Sequence, residues 1–333
     1  MMKRFGTFGV IVVMVIILAA CGGGSNSTGS SKQYTIGFSL STLTNPFFVG
    51  MDRGMRNEAS KLKVHLIDDN ANGDAATQVS QIEDLITQKV DLLIINPISA
   101  DGIVPVVQQA NSAHIPVISV DRGSSGGALV SFVQTDGVAM GKEAVSWIAQ
   151  QLTQRYGSAK GLIVDLQGLR GTTPAEDREK GFQEALQNYP NIKVVARQAA
   201  NFDQEKAYNV TSDILQTNPN IDAIFCANDD MAIGAIKAIQ AANRFYPIGN
   251  PKHIAVIGID GSGQALQALR AGTLDATISQ NPPKEAEQAL DLAVQYLNGK
   301  QVTANEVVPT MLITGTNIDS QAVKAYGLWG EGH

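Results

Sequence analysis

A series of short apolar runs in this chain each end on a side chain that can hydrogen-bond. Asn45 follows YTIGFSL, Asn96 closes DLLIIN, and Asp121 with Arg122 closes IPVISVD. Asn228 and Asp229 close DAIFCAND, Asp260 closes IAVIGID, and Gln280 closes DATISQ. Amides both donate and accept, carboxylates accept from two neighbouring hydroxyls, and a guanidinium presents a planar fork of donors. That combination suits a polyhydroxylated ligand. The adjacent Phe47 and Phe48, with Phe202 further along, offer apolar faces against which the C–H side of such a ligand can pack. Taken singly, each residue has a plainer role: Asn45-Pro46 starts helices, Asp260-Gly261 marks a loop, and a Phe pair plugs a core. Their shared position at the ends of the runs is what argues for a common purpose.

The runs are short and rich in Val, Ile and Leu, as strands covered on both faces should be. Helical periodicity fills the gaps between them, as at 50–62, 75–88, 102–113, 140–156, 175–188, 205–217 and 231–243. Repeated strand, helix, strand predicts an α/β fold with parallel sheets and right-handed crossovers. The strands are too many for one compact sheet, so two doubly wound sheets are expected. Such sheets bind ligands at the carboxyl ends of their strands. Two of them facing edge to edge would bring the polar residues into one cleft.

Composition bounds the alternatives. The 333 residues are 44% hydrophobic and 17% charged, which describes a globular chain with a sizeable core. A formal charge of −6, or −8 without Lys3 and Arg4, argues against nucleic acid as a partner. His65, His114, His253 and His333 lack metal-ligand spacing. GVAMGKE misses the phosphate-loop spacing and carries Glu143 where a magnesium-binding hydroxyl belongs, so no nucleotide cofactor is expected. GSSGG at 123–127 has the nucleophile-elbow pattern but runs on into a strand, and reads as a loop.

Residues 1–20 combine Lys3 and Arg4, an apolar run over 10–18 and small residues before Cys21, the pattern of an export signal. LAAC resembles the bacterial lipoprotein box. By that resemblance Cys21 is lipidated and anchors the protein to the outer side of the cell membrane, through a flexible Gly/Ser tether over 21–33. Only Cys226 then remains, and no intramolecular disulfide is expected.

STLTNPFF, LLIINP, VISVDR, ANFDQEKAYNV, ANDDMAIGAIKAIQ, VIGIDG and DATISQ together resemble the periplasmic ribose-binding proteins and their sugar-binding relatives in bacterial ABC importers. The resemblance runs from about residue 34 to about residue 314. It implies two lobes of the type I periplasmic binding protein plan joined by three crossing strands. The N-terminal lobe would hold 34–134 with 281–309, and the C-terminal lobe 135–280 with 310–333. It also implies a monomeric, non-catalytic receptor that closes on a monosaccharide, a ribose-like pentose or a related sugar, and delivers it to the permease of an importer. A sensor passing its closed form to a chemoreceptor or sensor kinase would use the same fold.

The implied ligand residues are Asn45, Phe47, Phe48, Asn96, Asp121, Arg122, Phe202, Asn228, Asp260 and Gln280. One position departs: Glu176 stands where the family has an arginine, with Arg178 two residues on. Glu176 can close a T-x-x-E capping box with Thr173, or the lost arginine can mean a different sugar. A glycosidase built on Asp121 and Asp260 is disfavoured, because Arg122 beside Asp121 should lower the pKa that a general acid needs raised. A sugar-responsive repressor core is disfavoured by the export signal and the missing DNA-binding headpiece.

Overall fold

The computed structural model describes residues 33–331, together with positions 1, 2 and 6. Cys21 and the body of the expected leader and tether lie outside the described residues. The chain runs β1 (Thr35–Leu40), α1 (Pro46–Leu62), β2 (His65–Asn70), α2 (Ala75–Thr87), β3 (Leu92–Ile95), α3 (Val104–Ser112), β4 (Val117–Val120) and β5 (Ser131–Gln134). It continues through α4 (Gly137–Tyr156), β6 (Gly161–Gln167), α5 (Thr173–Leu186), β7 (Ile192–Ala199), α6 (Gln204–Thr217), β8 (Ala223–Cys226), α7 (Asp229–Ala241), β9 (Ala255–Asp260), α8 (Gly263–Arg270) and β10 (Ala276–Ser279). It closes with α9 (Pro282–Leu297), β11 (Asn305–Val307), β12 (Met311–Thr314) and α10 (Gln321–Tyr326).

The strands form two sheets of the same plan, ordered β11-β5-β4-β3-β1-β2 and β12-β10-β9-β8-β6-β7. Every pairing is parallel except β10 with β12. The chain passes from one sheet to the other after β5, after β10 and after β11. Residues around 135, 280 and 309 therefore carry the connections between two α/β lobes.

Alternation along the strands divides the first lobe's core into two layers. Leu92 and Ile94 join Phe38, Met51 and Met55 on one side of the sheet, while Leu93 and Ile95 join Ile82 and Leu85 on the other. This is the period-two consequence of a strand buried on both faces. The helix α9 returns to this lobe, burying Ala286, Ala289, Leu290 and Ala293 on one helical stripe. The second lobe has one continuous core, in which Phe182 stacks on Phe225 at 5.0 Å.

Two readings from the sequence change here. β2 and β7 are not covered on both faces; each is the outermost strand of its sheet and half-exposed along most of its length. And α1 begins at Pro46 rather than near residue 50, because Asn45 is its N-cap, accepting from Phe47 N at 2.8 Å, and Pro46 fits the first helical position. Residues 137–143 lie within α4, so GVAMGKE is helix and forms no phosphate loop.

Candidate ligand-binding site

The carboxyl ends of both sheets meet across one small cavity. The first lobe supplies Asn45, Phe47 and Phe48 from the start of α1, and Asp121 and Arg122 from the end of β4. The second lobe supplies Arg178 from α5, Phe202 from the loop before α6, Asn228 at the start of α7, and Asp260 at the end of β9. Gln280, on the second connection between lobes, completes the polar wall. Pro174 also faces the cavity; nothing in the sequence patterning singled it out.

Two expected residues are elsewhere. Asn96 does not line the cavity. It is fully buried behind it, donating from Nδ2 to Val120 O at 2.9 Å and Asp121 Oδ2 at 3.1 Å while accepting from Ser41 at 2.6 Å. Glu176 also stays off the wall, its Oε1 accepting from Gly171 N at 3.0 Å. The capping box with Thr173 does not form, because the helix starts one residue earlier in the pattern, with Thr172 as N-cap. Thr173 instead accepts from Gly123 N of the other lobe at 3.0 Å. Arg178, two residues further along α5, lines the cavity instead.

Backbone geometry explains how the walls are aimed. Asp121, Phe202 and Asp260 all have positive φ, 59°, 61° and 138°, in regions unfavourable to residues with a Cβ. Such strain persists only where surrounding contacts fix it, and it concentrates at functional sites. Asp260 is fixed by Gln280, whose Nε2 donates to Oδ1 at 2.7 Å and whose backbone N–H donates to Asp260 O at 3.0 Å. Gln280 in turn accepts from Thr135 at 2.5 Å, tying the first and second connections between lobes together. Phe202 lies against Gly168, where a Cβ would fall 2.2 Å from the ring.

The aromatic walls are backed by cations. The Arg122 guanidinium lies 4.9 Å from the centre of the Phe48 ring and that of Arg178 5.7 Å from Phe202. Arg178 donates to Ala227 O at 2.6 Å, yet the Nε of both arginines is buried without a hydrogen-bond partner, that of Arg122 lying 3.8 Å from Asp121 Oδ2. Phe47 and Phe48, 5.3 Å apart edge to face, serve both as cavity wall and as members of the first lobe's core, so the two readings of the pair are compatible.

Two carboxylates and two guanidiniums give the cavity no net formal charge. Burial raises the Asp121 pKa above the ordinary carboxylate value, against the opposing pull of Arg122 and Arg178. The expectation that Arg122 would hold it down is thus overturned: loss of water outweighs the neighbouring charge. Burial likewise pushes Asp260 well above the ordinary range, with Arg178 opposing and Asp229 adding repulsion. Both carboxyls lack the solvation that a ligand's hydroxyl donors would supply. Cys226 is a buried strand residue whose thiol burial pushes far up, which makes it inert. Among the described residues, no group of three or more His, Cys, Asp or Glu side chains could hold a metal ion, and no helix is long and apolar enough to cross a membrane.

Two α/β lobes of one plan, joined by three connections and enclosing a polar cavity, define a two-lobed solute-binding protein. The periplasmic binding protein domain matches residues 36–301, and the chain belongs to that family, type I, whose members bind solutes and are not enzymes. The ribose import binding protein of Bacillus subtilis strain 168 is 36% identical over 289 residues, covering 87% of this chain and 90% of that protein. The D-allose-binding periplasmic protein of Escherichia coli strain K12 is 32% identical, over 85% of this chain and 90% of that one. An ABC transporter solute binding protein from Bacillus halodurans, solved with bound myo-inositol, superposes with a TM-score of 0.81 at 29% identity. It covers 90% of this chain and 100% of that structure.

Proposed function

We propose that this protein captures a neutral monosaccharide or a closely related polyol between its lobes and delivers it to an ABC importer. The observation that carries the reading is the balanced wall: Asp121 with Arg122 from one lobe, Asp260 with Arg178 from the other, and phenylalanine faces beside each pair. An anion would leave the carboxylates opposed and a cation the guanidiniums, whereas hydroxyls donate to the former and accept from the latter. Relatives named for ribose and D-allose support the sugar class.

Binding works by closure. Contacts from both lobes exist only when the lobes meet, so ligand shifts the population toward the closed form. The lobes are taken as 34–134 with 281–309 and 135–280 with 310–333, hinged where the chain crosses between sheets. The closed shape is what a permease would recognise. The protein acts as a monomer held to the extracytoplasmic face of the membrane by lipidated Cys21. Labelling with radioactive palmitate, lost in Cys21→Ser, tests the anchor.

A thermal-shift panel of pentoses, hexoses and polyols tests the ligand class, because a solute that binds only the native form raises its melting temperature. A rise with one or a few neutral sugars is expected. A rise only with amino acids, organic anions or metal ions would reject the carbohydrate reading while leaving the receptor fold intact.

A further inference from the structure

The segment after α10 crosses between the lobes. Leu328 packs on the second lobe's core, whereas its neighbour Trp329 enters the first lobe's apolar cluster and is only 9% exposed. The segment is fastened to the second lobe. Glu331 pairs with Arg270, which also reaches Asp319 at 3.6 Å. Gly330 lies so close to the start of α8 that a Cβ there would fall 2.5 Å from Gly263 N. From this base the Trp329 ring projects to the other lobe, edge to face with Phe47 at 6.3 Å between centres and against Gly50. Its Nε1 donates to Asp260 O at 2.9 Å.

We propose that residues 327–331 are a strap coupling the lobes, and that Trp329 is a positioning residue for the ligand site. One ring fixes the strained backbone of Asp260 in the second lobe and backs Phe47 in the first. Neither Trp329 nor the rest of the strap lines the cavity, and the strap lies beyond residue 301, where the match to the family domain ends. When the lobes separate, Trp329 stays with Asp260 and its ring loses the Phe47 and Gly50 surface. The strap therefore adds apolar burial to the closed form alone, which slows ligand release.

The inference rests on the sugar-binding reading, and its test keeps the two apart. Full-length protein, Trp329→Phe and Trp329→Ala are titrated by calorimetry with D-ribose, D-allose, xylitol and myo-inositol, with ligand-free melting and stopped-flow dissociation alongside. Trp329→Phe keeps a ring and loses the indole N–H, and should bind roughly tenfold more weakly. Trp329→Ala should bind roughly a hundredfold more weakly and release ligand faster. The other tryptophan, Trp147, is buried in the second lobe's core. Sugar should accordingly shift the fluorescence of Trp147→Phe as it does the wild type, and leave that of Trp329→Phe unchanged. Wild-type affinity in both Trp329 variants, whatever their melting temperatures, or a surviving fluorescence shift in Trp329→Phe, would overturn the strap. Failure of the wild type itself to bind any of the four would instead remove the reading beneath it.

Discussion

Asn96 Nδ2 stands 3.1 Å from Asp121 Oδ2, so a residue that reads in sequence as part of the wall is the one that aims the wall. The same amide group holds Val120 O at 2.9 Å, and its oxygen accepts from Ser41. Asn96→Ala leaves these groups buried without partners. It should cost about 1–3 kcal/mol of stability in urea unfolding and weaken sugar binding by about tenfold. Lost stability with unchanged affinity would assign Asn96 to the core alone.

Asp260 ties ligand binding to pH. Its folded pKa is raised well above the ordinary 3.8 by burial, so the ligand-free site retains a proton at pH values where a solvated carboxylate has lost it. Hydroxyl donors from a sugar favour the ionised form. Binding should therefore release protons and weaken as pH falls through the raised pKa. Calorimetric heats that vary with the ionisation enthalpy of the buffer would register the release, and Asp260→Asn should reduce that variation, the remainder coming from Asp121, whose pKa burial also raises.

Asp230, next to Asp229 at the start of α7, has its pKa pushed up to about 7, chiefly by burial and then by repulsion from Asp229 and Asp203. Between 3.8 and about 7 the folded chain holds a proton that the unfolded chain has lost, so stability falls as pH rises across that window. Asp230→Asn should be more stable than the wild type at pH 8, by about 1–3 kcal/mol. The difference should vanish below pH 4. Melting curves at both pH values provide the check.

Gly168 fixes the position of Phe202 by lacking a side chain, since a Cβ would lie 2.2 Å from the ring. Gly168→Ala should push the ring into the cavity and weaken binding by roughly tenfold or more, with the second lobe's core unaffected. Restoration of affinity in Gly168→Ala combined with Phe202→Leu would show that the ring is the cause.

Much of the fold was legible because strands buried on both faces leave unbroken apolar runs, and because parallel sheets need helices between them. The polar run ends were legible for the same reason: Asp121, Asn228, Asp260 and Gln280 interrupt stretches such as VISV and ATIS that are otherwise buried. Depth was not legible. Asn96 and Asp121 both end strands, yet Asp121 lines the cavity while Asn96 is buried behind it, donating to its carboxylate. Arg178 was ambiguous because it and Glu176, two residues apart on α5, lie on different faces of the helix, and only Arg178 lines the cavity. Trp329 carried no signal, since its partners, Phe47 and Asp260, are separated from it by most of the chain or joined through a backbone carbonyl.

The central claim is that one solute is held by both lobes at once. The sugar chosen by the thermal-shift panel should be titrated calorimetrically into the wild type, Asp121→Ala from the first lobe and Asp260→Ala from the second. Each substitution is predicted to lose about 2–5 kcal/mol of binding free energy, because each strips a buried charged partner from the closed site. Wild-type affinity in either variant would mean that the solute does not bridge the lobes, and would contradict the account.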